Sequence, residues 1–284
     1  MSDKKTILIA DSGSTKTAWK LLKGNDEYEL ETPGINPYYQ NSDEIRAALA
    51  SNIQFIQIIA QKIEHIYFYG AGCSVPANNL LVQQALRPFF PDAQIEIAHD
   101  MLAAARALCG VNAGIACILG TGSNSCFFDG QNITHQIDNL GFWLGDEGSG
   151  GYLGKQLVIN WFHKEMPTDL WQLFSETYQP NRDAMLDKVY KQPYPNRYLA
   201  SFSIFLKNNI HHPWCIQQVA ESFQLFFERY VARYPNSELV DVHFLGSVAY
   251  NYSEILSTTA RSCGLRPGKL LGSAIEGLSL YHQQ

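Results

Sequence analysis

The chain has 284 residues, of which 46% are hydrophobic and 17% charged, so it is long enough for a sizeable core and too apolar for a disordered protein. The net charge of -6 and the scattered lysines and arginines argue against nucleic acid as a partner. No apolar run could span a bilayer, and the acid that ends "MSDKKTILIAD" comes too early for a signal peptide.

The first elements in chain order predict a β-hairpin. "KTILIADSG" is typical of a buried strand, and "TKTAWKLLKG" of a second strand after a short turn. The P-loop and the dinucleotide fingerprint both need a helix directly after the glycine turn, so neither is present. Next come a helix in "SDEIRAALASNIQFIQIIAQKI", a strand in "EHIYFYGAG", a helix in "NNLLVQQALRPFF", a strand in "AQIEIAHD" and a helix in "MLAAARALCG".

The opening pattern then recurs in "AGIACILGTGSNSCFFDG", which again predicts strand, turn and strand. When the two hairpins are aligned in sequence, Gly13 corresponds to Gly122, whereas Asp11 corresponds to Gly120. Two similar hairpins about a hundred residues apart suggest a duplicated domain, with a boundary near residues 112–116.

The rest of the chain is predicted to be mostly helical up to residue 240, followed by a strand in "LVDVHFLGSVA" and a helix in "YSEILSTTARSCG". The six cysteines occur singly, without the spacing of a metal site. Small buried thiols are typical of a reducing compartment, which predicts a cytoplasmic protein.

The turn after Asp11 allows two interpretations. A carboxylate at a strand end, followed by glycine and hydroxyls, leaves backbone N–H groups for phosphates and an oxygen ligand for Mg²⁺. Alternatively, Gly13 closes an ordinary hairpin and Asp11 bonds to its own backbone. The second turn favours the first interpretation, because two such turns suit a nucleotide held between two related halves.

The motifs "DSGSTKT", "LGTGSNS", "LGDEGSGGYLG" and "FLGSVAYNYSEIL" together resemble the N-acetylglucosamine kinase family of the sugar kinase, Hsp70 and actin superfamily. The resemblance implies an α/β fold of two actin-like, ribonuclease H-like domains, at 1–113 and 114–271, with the active site in the cleft. A helix within 272–284 would return to the first domain. It also implies ATP-dependent phosphorylation of an amino-sugar hydroxyl, usually at C6, and a homodimer.

The resemblance assigns roles to individual residues. Asp11 would position Mg²⁺, Asp100 would be the catalytic base, and Asn36, Asp100 and Asp146 would contact the sugar. The nucleotide-binding residues would be Asp11, Gly13, Ser14, Thr15 and Lys16 of the first turn, Gly120, Thr121 and Gly122 of the second, and Gly246 and Ser247 at the adenosine.

Three acids also admit structural interpretations. Asp100 precedes an apolar helix, where aspartate is a favoured N-cap, although a cap does not prevent catalysis. Asp146 and Glu147 could be acids placed at a helix N-terminus. No role is assigned to Glu147, or to His99 beside the expected base.

One position departs from the family pattern. Some relatives carry a tryptophan six residues before the aspartate of "GDEG", where this chain has Leu140. The acceptor is therefore open among N-acetylglucosamine, N-acetylmuramic acid, glucosamine and an unmodified hexose.

Two other functions compete with a kinase. An activase-type ATPase would need a cysteine just before its Gly-Thr-Gly turn to hold an iron–sulfur cluster, but Cys117 lies inside the strand. A non-catalytic sugar-binding regulator is expected to have lost Asp11 or Asp100, and this chain has both.

Overall fold

The apolar strands and glycine turns of the sequence form two separate five-stranded sheets. The structure is a computed structural model that describes residues 5–13 and 16–283. It divides into a first unit, Met1–Val111 with Ala274–Gln284, and a second unit, Asn112–Ser273.

The first sheet has the strand order β3-β2-β1-β4-β5. Its strands are β1 (Ile7–Ser12), β2 (Lys16–Lys23), β3 (Asp26–Pro33), β4 (His65–Gly70) and β5 (Gln94–His99). The hairpin strands are antiparallel, whereas β1, β4 and β5 are parallel. The carboxyl ends of these three strands therefore meet at one edge of the sheet.

Helices cover this sheet and bury the aromatic core around Trp19, whose ring packs against Phe55 and Phe68. The helices of the first unit are α1 (Ser42–Ala50), α2 (Ile53–Ile59), α3 (Pro76–Leu86), α4 (Asp100–Cys109) and α13 (Ile275–His282). The single helix expected over residues 42–63 is instead two helices. Asn52 caps the second one by accepting a hydrogen bond from the Phe55 N–H, and the chain breaks there.

The second sheet has the order β10-β9-β6-β7-β8. Its strands are β6 (Gly114–Leu119), β7 (Ser123–Phe128), β8 (Ile133–His135), β9 (Asp241–Leu245) and β10 (Arg266–Leu271). An antiparallel hairpin beside a parallel strand occurs here as in the first sheet, which confirms the predicted repeat.

The remaining helices pack around an aromatic core built from the second half of the chain. They are α5 (Gly141–Leu144), α6 (Gly150–His163), α7 (Thr168–Tyr178), α8 (Arg182–Tyr190), α9 (Pro195–Asn208), α10 (Pro213–Arg229), a short 3₁₀ helix (Val231–Arg233), α11 (Ser247–Asn251) and α12 (Ser253–Ser262). Across the described ranges, we find no helix that combines the length and the apolar character needed to cross a membrane.

Candidate active site

Two of the predicted acids lie at the carboxyl edge of the first sheet. Asp11 is on β1 opposite Tyr69 of β4, and Asp100 directly follows β5, whose His99 pairs with Gly70 of β4. The strand order alone brings both carboxyl groups to the same edge, although 88 residues of sequence separate them.

The two carboxyl groups affect one another electrostatically. Burial raises the pKa of Asp11 to about 6, the Asp100 carboxylate raises it as well, and a hydrogen bond from the Ala274 N–H lowers it. Burial also raises the pKa of Asp100, although His99 and the Met101 N–H act in the opposite direction.

A divalent cation would stabilise the ionised forms of both acids. Mg²⁺ prefers hard oxygen ligands and commonly takes one or two carboxylates together with phosphates and water. The donor set around Asp11 therefore fits Mg²⁺. Within the described residues, no group of three or more Asp, Glu, His or Cys side chains could hold a metal ion.

The structure assigns the cap of α4 to His99 rather than to Asp100. The Nδ1 atom of His99 accepts a hydrogen bond from the Leu102 N–H at 3.3 Å, and Asp100 occupies the first helical position. Burial lowers the pKa of His99, which favours the neutral ring that this cap requires. The interpretation of Asp100 as an N-cap is therefore wrong.

Asn36 lies in the loop after β3. Its Oδ1 accepts a hydrogen bond from the Tyr38 N–H at 3.0 Å, and its own N–H donates to Gln40 Oε1 at 2.8 Å. Gly72 lies against it, since a Cβ at that position would be 2.7 Å from Asn36 Oδ1. The Asn36 side chain therefore lies next to the loop that follows β4.

The buried Ser12 ties the Asn36 loop to the strand that carries Asp11. Its hydroxyl donates to the Ile35 carbonyl at 3.1 Å and accepts from the Ile35 N–H at 3.0 Å. Thr17 of β2 contacts the same hydroxyl at 2.7 Å. The sequence alone does not indicate these contacts of Ser12, because only the fold brings residue 35 to it.

The first glycine turn is described in part. The Gly13 N–H donates to the Lys16 carbonyl at 3.0 Å, which closes the hairpin. Lys16 begins β2, and its exposed ammonium pairs with Glu31. Ser14 and Thr15, both expected to bind phosphate, lie outside the described residues.

The second turn packs against the start of α6. The Gly120 N–H donates to the Gly122 carbonyl at 2.9 Å, while the carbonyls of Gly120 and Thr121 accept from Gly150 at 2.8 Å and Gly151 at 2.9 Å. The "GTG" and "GSGG" segments therefore form one unit, in which α6 fixes the backbone of the turn.

Asp146 is buried beside this turn with a left-handed backbone, at φ 64°. Its Oδ1 accepts hydrogen bonds from the Ser123 N–H at 3.2 Å and from Asn139 Nδ2 at 3.0 Å. Burial raises its pKa, whereas these two donors lower it. The position of Asn139 in the sequence gives no indication of its hydrogen bond to Asp146.

Glu147, the next residue, is also buried. Its carboxylate pairs with Arg229 at the end of α10 and accepts a hydrogen bond from the Tyr230 hydroxyl at 2.8 Å. These contacts give Glu147 a structural role, which the sequence left open.

Gly246 lies against the second turn, between β9 and α11. Its φ of 118° suits glycine, and a Cβ there would be 2.5 Å from the Leu119 carbonyl oxygen. Ser247 follows as the first residue of α11. In the second unit, the expected adenosine motif, the second phosphate turn and Asp146 therefore lie together. In the first unit, Asp11, Asn36 and Asp100 belong to connected loops and strand ends.

Comparison with solved structures supports the resemblance. A putative N-acetylglucosamine kinase from Porphyromonas gingivalis is 45% identical, with a TM-score of 0.92 and 98% of each chain covered. One of the same description from Chromobacterium violaceum shares 16% identity over 99% of each chain, at a TM-score of 0.69. The ROK hexokinase of Thermus thermophilus shares 14% identity, with 97% of this chain and 98% of that one covered and a TM-score of 0.51.

The last two similarities concern the fold alone. No family model matches the sequence, and no curated protein does. The identity to the first protein over nearly the full length of both chains, together with the repeated hairpins, confirms the resemblance. The chain belongs to the N-acetylglucosamine kinase family and is an ATP-dependent sugar kinase with the actin-like α/β fold.

Proposed function

We propose that this kinase transfers the terminal phosphate of ATP to the 6-hydroxyl of an amino sugar, with N-acetylglucosamine as the preferred acceptor. The observation that carries the proposal is the position of Asp100 beside Asp11 at the carboxyl edge of the first sheet. The kinase from Porphyromonas gingivalis, which is 45% identical, is named for the same sugar.

In this proposal Asp100 is the catalytic base. A sugar hydroxyl is a weak nucleophile, and a carboxylate within hydrogen-bonding reach orients it and accepts its proton as the new P–O bond forms. Burial raises the pKa of Asp100, which makes its carboxylate a better proton acceptor. Because His99 caps α4, the Asp100 side chain is not needed for that task.

Asn36 and Asp146 are proposed to bind sugar hydroxyls. Gly13, Ser14, Thr15 and Lys16, with Gly120, Thr121 and Gly122, are proposed to surround the phosphates, and Gly246 and Ser247 the adenosine. Mg²⁺, held through Asp11, would offset the negative charge of the phosphates during transfer.

A panel of free acceptors tests this function. ADP release would be measured with ATP, Mg²⁺ and, in turn, N-acetylglucosamine, N-acetylmuramic acid, glucosamine and glucose, with a no-sugar control. We expect the highest kcat/KM with N-acetylglucosamine, and phosphorus–proton coupling in the product's NMR spectrum should place the phosphate on C6. ADP release that does not depend on sugar would contradict the proposal and favour an ATPase.

The exposed Leu140, where some relatives have tryptophan, is the reason to include N-acetylmuramic acid. A higher kcat/KM for that sugar would make N-acetylmuramic acid the preferred acceptor, and the proposed role of Asp100 as the base would be unaffected.

We further propose a cytoplasmic homodimer. The burial of five of the six cysteines suits a reducing compartment, and the dimer is testable by light scattering.

A further inference from the structure

The helix α13 belongs to the first unit although it follows the whole of the second unit in the sequence. It packs against β1, β2 and α4. At its closest approach, a Cβ on Gly277 would lie 2.5 Å from the Ala107 carbonyl oxygen. The absence of a side chain at Gly277 therefore lets α13 approach the backbone of α4.

The start of α13 lies near Asp11, because the helix packs against β1, the strand that carries this residue. Ala274, the residue before the helix, donates its backbone N–H to the Asp11 carboxylate. This hydrogen bond comes from the main chain, so it depends on where the helix begins.

A buried lysine holds that end of the helix. Lys20 of β2 has its Nζ 2.9 Å from both carboxylate oxygens of Glu276. It also pairs at 2.9 Å with Glu27 and with Glu29 of β3. Lys20 lies opposite Ile9 and therefore two residues along the hairpin from Asp11, which faces Ala18. Lys20 and Asp11 thus belong to the same pair of strands, β2 and β1.

The far end of α13 is held as well. The Tyr69 hydroxyl contacts His282 Nε2 at 2.8 Å, and the Tyr67 ring stacks on His282 with the ring centroids 3.7 Å apart. With both ends held on β2 and β4, the helix has a fixed position relative to Asp11.

We infer that α13 is part of the metal-binding apparatus, in which Glu276 and Gly277 are positioning residues. They hold the Ala274 N–H against the Asp11 carboxylate and so fix the orientation in which Asp11 meets the magnesium ion of Mg–ATP. This inference rests on the role proposed above for Asp11.

The test is a calorimetric titration of Mg²⁺ into the protein saturated with ADP. Glu276→Gln weakens the pair with Lys20, and Gly277→Ala forces α13 away from Ala107. Because one charge-assisted contact is weakened, we expect the Kd of Mg²⁺ to rise about three- to tenfold in Glu276→Gln, and further in Gly277→Ala. The control is Glu64→Gln, at an exposed carboxylate just before β4, and it should keep the Kd of the unaltered protein.

At saturating Mg²⁺, kcat of Glu276→Gln should return to the value of the unaltered protein, a split that a general loss of stability would not produce. The inference is overturned if Glu276→Gln binds Mg²⁺ like the unaltered protein while Asp11→Asn loses binding, a result that leaves the proposed function intact. It is also overturned if Glu64→Gln weakens Mg²⁺ binding equally. Unchanged Mg²⁺ binding in Asp11→Asn would instead remove the proposed role of Asp11.

Discussion

His99 and Asp100 are neighbours in the sequence, and the structure separates their tasks. The histidine ring caps α4 from outside the helix, while the aspartate occupies the first helical turn with a carboxyl group whose pKa is raised by burial. At this position the helix dipole favours the ionised carboxylate.

Asp100→Asn keeps the shape of the side chain and removes its ability to accept a proton. We expect kcat to fall about 10²- to 10⁴-fold, while calorimetry shows that sugar binding is retained. Asp92→Asn, at an exposed acid near the start of β5, is the matched control and should be fully active. Near-normal turnover in Asp100→Asn would show that another group is the base.

Asp11 makes the folded state sensitive to pH. Its pKa is raised from 3.8 to about 6 on folding, so the unfolded chain releases this proton first as pH rises, and stability falls across that interval. Asp11→Asn should therefore increase the free energy of unfolding at pH 7 by about 1–3 kcal/mol.

Urea denaturation with a chelator present, at pH 7 and near pH 4, would measure this effect. The gain should largely disappear near pH 4, where Asp11 is protonated in the folded state and about half protonated in the unfolded chain. Lower stability of Asp11→Asn than of the unaltered protein at pH 7 would contradict the expectation. Asp92→Asn again serves as the control.

Gly246 is expected to be essential to the second turn. Gly246→Ala combines a φ of 118° with a Cβ 2.5 Å from the Leu119 carbonyl oxygen, so the backbone before Gly120 must shift. We expect ATP to bind about tenfold more weakly or worse, since small misplacements at a phosphate site are costly.

Gly264→Ala is the control for this change. Gly264 also has a positive φ, of 76°, but a Cβ there would meet open space. It should cost about 1 kcal/mol of stability and leave the ATP Kd, measured by calorimetry, unchanged. Equal ATP affinities in the two variants would show that the contact with Leu119 does not matter.

At the scale of elements, the sequence predicts the parts that are both apolar and regular. The hairpin strands β1, β2, β6 and β7 were predicted, as was β4, because their side chains are largely buried. The strand β5 is only partly buried, and the alternating residues of "QIEIAH" made it predictable. The edge strands β3 and β10 were missed, since "DEYELETP" and "RPGKLL" are mostly polar or exposed. The positions of Asp11 and Asp100 at strand ends could be predicted, whereas the contacts of Ser12, Asn139 and Glu147 depend on distant residues.

The end of α10 stabilises the segment between α5 and α6 through Glu147. Arg229→Met would leave the buried Glu147 carboxylate with Tyr230 but without its cation. Because Arg229 is half exposed, we expect a loss of about 2–4 kcal/mol of unfolding free energy, somewhat less than for a fully buried pair.

Urea denaturation would measure this loss. Arg233→Met removes a nearby exposed arginine and should change the free energy by less than about 0.5 kcal/mol. If both variants were equally stable, the pair with Glu147 would contribute little.

At the scale of the whole molecule, the first unit is built from two separate stretches of sequence. Deletion of residues 274–284 would remove the helix that covers β1, β2 and α4. We expect amide hydrogen exchange to increase in these three elements and to stay slow in β6, β9 and α10 of the second unit. Mass spectrometry of peptic fragments would measure it. Equal loss of protection in both units would show that the second unit also depends on this helix.

The return of α13 has a consequence for biosynthesis. A ribosome delivers every strand of the first sheet long before it delivers residues 274–284, so that sheet must wait, with the α13-binding surface uncovered, while about 160 further residues emerge. The second unit, started later, has all of its own residues first. The unit that is translated first therefore completes its folding last. During that interval, a chaperone that binds exposed apolar surface could bind the first unit.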